Sequence, residues 1–138
     1  MGLTFEEIKI GDSASYTKSF TSEEVIDFSC LSGDKNPIHV NEEAGKASIF
    51  GARVVHGALV SSLFSTVFGT LLPGEGCIYL SQNSSFRKPV YLLDQITVTV
   101  KAIEKIEDKK FIKFETIAQN QNGEVVIKGE ALLKPRSK

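Results

Sequence analysis

Two periods divide the chain. From Thr21 to Leu72 apolar residues recur at helical spacing, and from Ile96 to Leu133 they alternate with polar ones as in half-buried strands. In the first stretch, Thr21-Ser22-Glu23-Glu24 has the form of a capping box, with Thr21 as N-cap and Glu24 as its reciprocal partner. Val25, Ile26, Phe28 and Ser29 then predict a short helix to about Leu31, which Gly33 can stop. Pro37 holds Asn36 out of the helical region, so Asp34 to Ile38 is expected to be loop. Asn41-Glu42-Glu43 starts another short helix that Gly45 weakens. Gly57 to Leu72 carries no charge, and Leu59, Val60, Leu63, Phe64, Val67, Phe68, Leu71 and Leu72 cover nearly its whole circumference. A helix apolar all round is a buried helix. A membrane span needs about 20 predominantly apolar residues, and this run is shorter, contains Ser61, Ser62, Ser65, Thr66 and Thr70, and ends at Pro73-Gly74.

The strand pattern follows. Ile96, Val98, Val100 and Ala102 form one apolar face; Ile112, Phe114, Thr116 and Ala118 a second; Ile127, Gly129, Ala131 and Leu133 a third. Such alternation marks an antiparallel sheet with one buried face. Glu107-Asp108-Lys109 and Asn122-Gly123 supply the turns, the latter a hairpin signal. Cys77 to Phe86 reads as a further strand, polar in its middle, and Ser13 to Phe20 as a first one. The fold class is therefore α+β: a single domain over residues 1–138, with an antiparallel sheet and one long apolar helix. One sheet cannot hide a helix that is apolar all round, so the sheet must curl around it, a second chain must cover it, or both.

Composition narrows the function classes. A chain of 138 residues, 41% hydrophobic and 24% charged, suits one globular domain with a core of its own. A formal net charge of −1 gives no broad field for nucleic acid or an anionic membrane. Cys30 and Cys77 have neither CxxC spacing nor a histidine in ligand register, so buried or half-buried free thiols are expected rather than a zinc site or disulfide. Residues 1–20 carry Glu6, Glu7, Lys9 and Asp12 without a long apolar run, which is neither a signal nor a transit peptide. Cytoplasm is the expected location, or an organelle matrix if a presequence has been removed.

The candidate chemistry sits in Ser32-Gly33-Asp34-Lys35-Asn36-Pro37-Ile38-His39 and in Val55-His56-Gly57. A proline turn can bring the Asp34 carboxylate and the His39 imidazole together on one water, as general base catalysis requires. Asn36 could hold the carboxylate or the turn; an Asx-turn accounts for the same residues without chemistry. Gly57 stands where the apolar helix starts, and a residue without a side chain there lets a ligand oxygen approach an unpaired helix N–H. A glycine N-cap is the alternative. His56 suits a half-buried ring bonded to backbone, and an Asp34–His39–His56 metal triad is the weaker use of the same residues.

Those two segments together resemble the signature of the MaoC-like (R)-specific enoyl-CoA hydratases. The likeness continues through Ser61-Ser62-Leu63-Phe64-Ser65, Leu72-Pro73-Gly74, Gly76-Cys77-Ile78-Tyr79-Leu80 and Ser85-Phe86-Arg87-Lys88-Pro89-Val90. It spans essentially the whole chain and extends to the mitochondrial 3-hydroxyacyl-thioester dehydratases of the same superfamily. The resemblance implies a hot-dog fold, in which the sheet wraps the long helix and two subunits join edge to edge as a homodimer. It implies reversible hydration of trans-2-enoyl thioesters, with Asp34 and His39 sharing the water and the Gly57 N–H binding the thioester carbonyl. Asn36, His56, Ser65 and Phe68 are then the residues expected around the substrate, with Phe68 shortening the acyl pocket; a helix-packing serine and a core aromatic are the alternatives for Ser65 and Phe68. The substrate would be an acyl-CoA or acyl-carrier-protein thioester, with no metal or other cofactor. Arg53, Arg87 and Lys88 are candidates for the carrier's phosphates, with solvated surface charge the favoured alternative. A (3R)-hydroxyacyl-carrier-protein dehydratase and a hot-dog thioesterase are the rival activities.

Overall fold

The computed structural model describes residues 1–137. Its strands are β1 (Ser13–Ser19), β2 (Ile78–Phe86), β3 (Gln95–Ile106), β4 (Phe111–Gln119) and β5 (Val125–Lys134), all antiparallel in one sheet of order β1-β3-β4-β5-β2. The helices are α1 (Ser22–Ser32), α2 (Pro37–Val40), α3 (Glu42–Ala47) and α4 (Gly57–Thr70). α4 lies across one face of the sheet and packs on β3, β1 and β2. Its Val60, Leu63, Phe64, Val67 and Phe68 meet the inward residues of the three central strands, among them Val98, Val100, Phe114, Ala131 and Leu133. A long helix held against one antiparallel sheet is the hot-dog arrangement.

The alternating residues of β3 and β4 point inward as their period requires. Three register shifts interrupt the ladders, between Tyr79 and Ser81, Ala102 and Glu104, and Ala118 and Gln119. Bulges of this kind bend a strand and raise its local twist, which lets a sheet follow a helix. The shift in β2 puts Tyr79 and Gln82 on one side: Tyr79 packs edge-on against Phe68, and Gln82 Nε2 donates to Thr116 Oγ1 at 3.0 Å. The hydroxyl of Thr116, fully buried on β4, is thereby satisfied.

Three expectations change. Asp34 to Ile38 is not all loop, because Pro37 opens α2 with Asn36 as its N-cap. Proline disfavours the helix only for the residue before it and is well suited to the first helical position. α4 is not buried all round. Ala58, Ser62, Ser65, Gly69 and Thr70 leave an exposed stripe of small residues, and Leu71 lies beyond the helix, exposed. Uncharged is not the same as apolar, and the hydroxyls tolerate water. Cys77 is half-buried as expected, but Cys30 is exposed on the outer side of α1. Among the described residues no helix is long and apolar enough to cross a membrane.

Candidate active site

The segment between α1 and α2 is shaped by side chains that each reach two residues ahead. Ser32 Oγ accepts the Asp34 N–H at 3.1 Å, Asp34 Oδ1 accepts the Asn36 N–H at 3.3 Å, and Asn36 Oδ1 accepts the Ile38 N–H at 3.3 Å. Gly33 closes α1 in the left-handed region at φ 83°, which turns the chain into this ladder. The Asx-turn is thus real, and it coexists with an exposed Asp34 side chain. Asn36 supports the turn and caps α2.

α2 carries His39 inward. Its Nδ1 lies 2.7 Å from the carbonyl oxygen of Val54. A carbonyl only accepts, so Nδ1 carries the proton, and Nε2 of the neutral ring keeps its lone pair. That is the tautomer a base acting through Nε2 needs. The carbonyl of His39 itself accepts from Arg53 Nε at 2.7 Å, while Arg53 Nη1 reaches Ser22 Oγ at 2.8 Å and Glu42 Oε1 at 3.4 Å. Arg53 is only 7% exposed. It is therefore a clamp between α1, α2 and α3, neither a solvated surface charge nor a contact for carrier phosphates.

His56, the residue before α4, is 2% exposed. Its ring stacks on His39 with centroids 3.8 Å apart, and Phe28 meets it edge-on at 4.9 Å. Nε2 lies 3.0 Å from Ser29 Oγ and 3.1 Å from the Asp34 carbonyl. Burial holds its imidazole below the usual histidine range, the bond to the Asp34 backbone working the other way. One donor atom each from Asp34, His39 and His56 falls within 4.8 Å of the others. The spacing fits a shared water. It suits a metal ion less well, because the two imidazole planes are nearly parallel, at 23°, and their lone pairs do not converge.

α1, α2 and α3 are capped by the side chains of Thr21, Asn36 and Asn41, whereas α4 has no side-chain cap. Its first turn borders a cavity of about 590 Å³ that Gly57 and Ala58 line together with His39, Val54, Phe86 and Arg87. A Cβ on Gly57 would stand 2.7 Å from the ring of Phe86, so glycine keeps both the ring seated and the N–H approachable. Lys88 also lines the cavity but is paired with Glu124 at 2.6 Å.

The structure thus brings Asp34, His39, His56 and Gly57 to one place. Ser65 and Phe68 lie elsewhere in the single chain. Ser65 is on the exposed stripe of α4, and Phe68 sits in an aromatic cluster with Tyr79 and Phe114. Sequence reasoning missed Ser29 and Phe86. Nothing in a helix-interior serine or a strand-terminal phenylalanine marks them, since their partners are distant along the chain.

A profile of the MaoC like domain matches residues 6–123. The (R)-specific enoyl-CoA hydratase of Rhodospirillum rubrum is 42% identical over 127 residues, 92% of this chain and 88% of that protein. A mitochondrial 3-hydroxyacyl-[acyl-carrier-protein] dehydratase of Arabidopsis thaliana is 39% identical, over 90% of this chain and 75% of that protein. The solved (R)-hydratase of A. caviae superposes with a TM-score of 0.91 at 37% identity, over 94% of this chain and 98% of that one.

Proposed function

The chain belongs to the MaoC-like domain family and is a hydro-lyase of the (R)-specific enoyl-CoA hydratase type, and we propose that Asp34, His39 and the N–H of Gly57 carry its reaction. The observation behind this reading is that His39 and the uncapped start of α4 face one cavity, with the Asp34 carboxylate beside them. An enoyl thioester is already electrophilic at its β-carbon. It needs a placed water, a group to move a proton, and a donor for the oxyanion. Asp34 and His39 Nε2 hold the water. Its oxygen bonds to the β-carbon, the proton it loses passes to the pair, and the pair returns it to the α-carbon. Meanwhile the carbonyl oxygen takes on enolate charge against the Gly57 N–H. No step is routed through a metal or redox group.

The predominantly apolar cavity suits a pantetheine arm, and Arg87 at its lining offers a cation for the phosphates of coenzyme A. The direct test is to mix the protein with crotonyl-CoA. Loss of enoyl absorbance without free thiol, coupled to an (R)-3-hydroxyacyl-specific dehydrogenase, is the expected result. Thiol release would make it a thioesterase. Faster turnover of the crotonyl acyl-carrier-protein thioester would favour the dehydratase reading that the Arabidopsis relative raises.

We also propose a homodimer joined through β2. This strand ends the sheet with one unpaired edge and exposes Ile78, Leu80 and Phe86. Unpaired apolar edges invite pairing with another chain. Leu80→Lys is expected to shift the mass measured by light scattering from two chains to one; a wild-type monomer at micromolar concentration would refute the dimer. The cytoplasm is the proposed location, and neither nucleic acid nor membrane is proposed as a partner.

A further inference from the structure

We infer that His56, braced by Ser29, is a positioning residue that sets the spacing of Asp34 and His39 without touching substrate. The inference rests on the reading of those two residues as the pair that holds water. His56 touches both of them. Its Nε2 contacts the Asp34 carbonyl at 3.1 Å, and its ring face stacks on His39 at 3.8 Å. Because the carbonyl cannot donate, Nε2 carries the hydrogen and shares it between Asp34 O and Ser29 Oγ, 3.0 Å away. As the residue that precedes Gly57, His56 also ties this pair to the start of α4. One flat ring thus fixes the base, the carboxylate and the oxyanion donor in a single frame.

The ring is built to hold rather than to react. It does not line the cavity, and Nδ1 is buried without a hydrogen-bond partner among the described residues. A proton on Nδ1 would place charge at a buried atom with no acceptor among the described residues. The titratable groups facing His56 are His39 from α2 and Asp34 from the preceding loop; Ser29 and Phe28 face it from α1. Burial therefore favours the neutral form of His56. A neutral ring can keep a catalytic imidazole at fixed spacing through the whole reaction.

The test is steady-state hydration of crotonyl-CoA by His56→Ala, His56→Gln and Ser29→Ala, each checked for wild-type circular dichroism. A displacement of about 1 Å at a reacting group can cost on the order of a hundredfold in rate. His56→Ala is therefore expected to lower kcat roughly a hundredfold with KM within about threefold. His56→Gln restores a side-chain N–H near the Nε2 position and should recover at least about tenfold of that loss. Ser29→Ala should lower kcat by about tenfold, and it decides the matter if His56→Ala does not fold. Wild-type kcat in His56→Ala or Ser29→Ala, a loss confined to KM, or a glutamine variant no faster than alanine would each overturn the inference. Asp34→Asn and His39→Asn serve as references. If they are inactive while His56→Ala is not, the positioning role alone fails; if they are active, the reading of the site fails.

Discussion

Asp34→Asn is expected to lower kcat for crotonyl-CoA hydration by about a hundred- to ten-thousand-fold while the thermal midpoint stays at the wild-type value. The separation of rate from fold follows from the ladder around the residue. An asparagine at 34 keeps a side-chain oxygen for the Asn36 N–H, so the turn survives, but it cannot accept a proton from water. His39→Asn should behave alike, because an asparagine amide can donate to the Val54 carbonyl roughly where Nδ1 does, without supplying the basic Nε2. If the two residues share one water, removing either disables the unit, and the double variant should cost little more than one single. A double variant whose loss equals the product of the two singles would mean that they act independently. A near-normal Asp34→Asn enzyme would remove the carboxylate from the reaction.

The second large effect is expected at Gly57. Deleting one oxyanion donor commonly costs on the order of a hundred- to a thousand-fold in kcat. Proline deletes the backbone N–H, and the first helical position tolerates it. His56, at φ −56° and ψ 133°, already has an extended ψ of the kind that a residue before proline adopts. The obstacle is Phe86, whose ring lies 2.7 Å from any Cβ at position 57. The comparison is therefore made in a Phe86→Ala background. There Gly57→Ala keeps the N–H and Gly57→Pro loses it, and the proline variant should be at least about a hundredfold slower than the alanine variant. Equal rates would show that the thioester oxygen is received elsewhere.

Much of this was legible along the chain because its causes are local. The capping box at Thr21, the alternation in β3 and β4, and the ladder from Ser32 to Ile38 depend on near neighbours, which a one-dimensional reading captures. What it could not capture joins distant segments. His56 meets Ser29 and Asp34 across 27 and 22 positions, and Arg53 reaches Ser22 across 31. From composition Arg53 reads as a surface cation; it is buried because partners from three helices satisfy two of its nitrogens. α4 reads as buried because its uncharged run spreads eight leucine, valine and phenylalanine side chains round the circumference, whereas its serines and Gly69 keep one side open. Only the family resemblance points to Ser65 and Phe68, and a single chain leaves them apart from the cavity that His39 and Gly57 line.

The ladder of two-residue steps from Ser32 to Ile38 also bears on which substitutions the site can absorb. Each rung is tied to its neighbour by covalent distance, so the carboxylate's placement draws little on the identity of the sheet beneath. Substitutions scattered through the strands can accumulate without moving it, provided the core stays filled. A single-residue insertion between Ser32 and His39 would put every rung out of step at once. The segment is therefore tolerant of change around it and intolerant of change in its length.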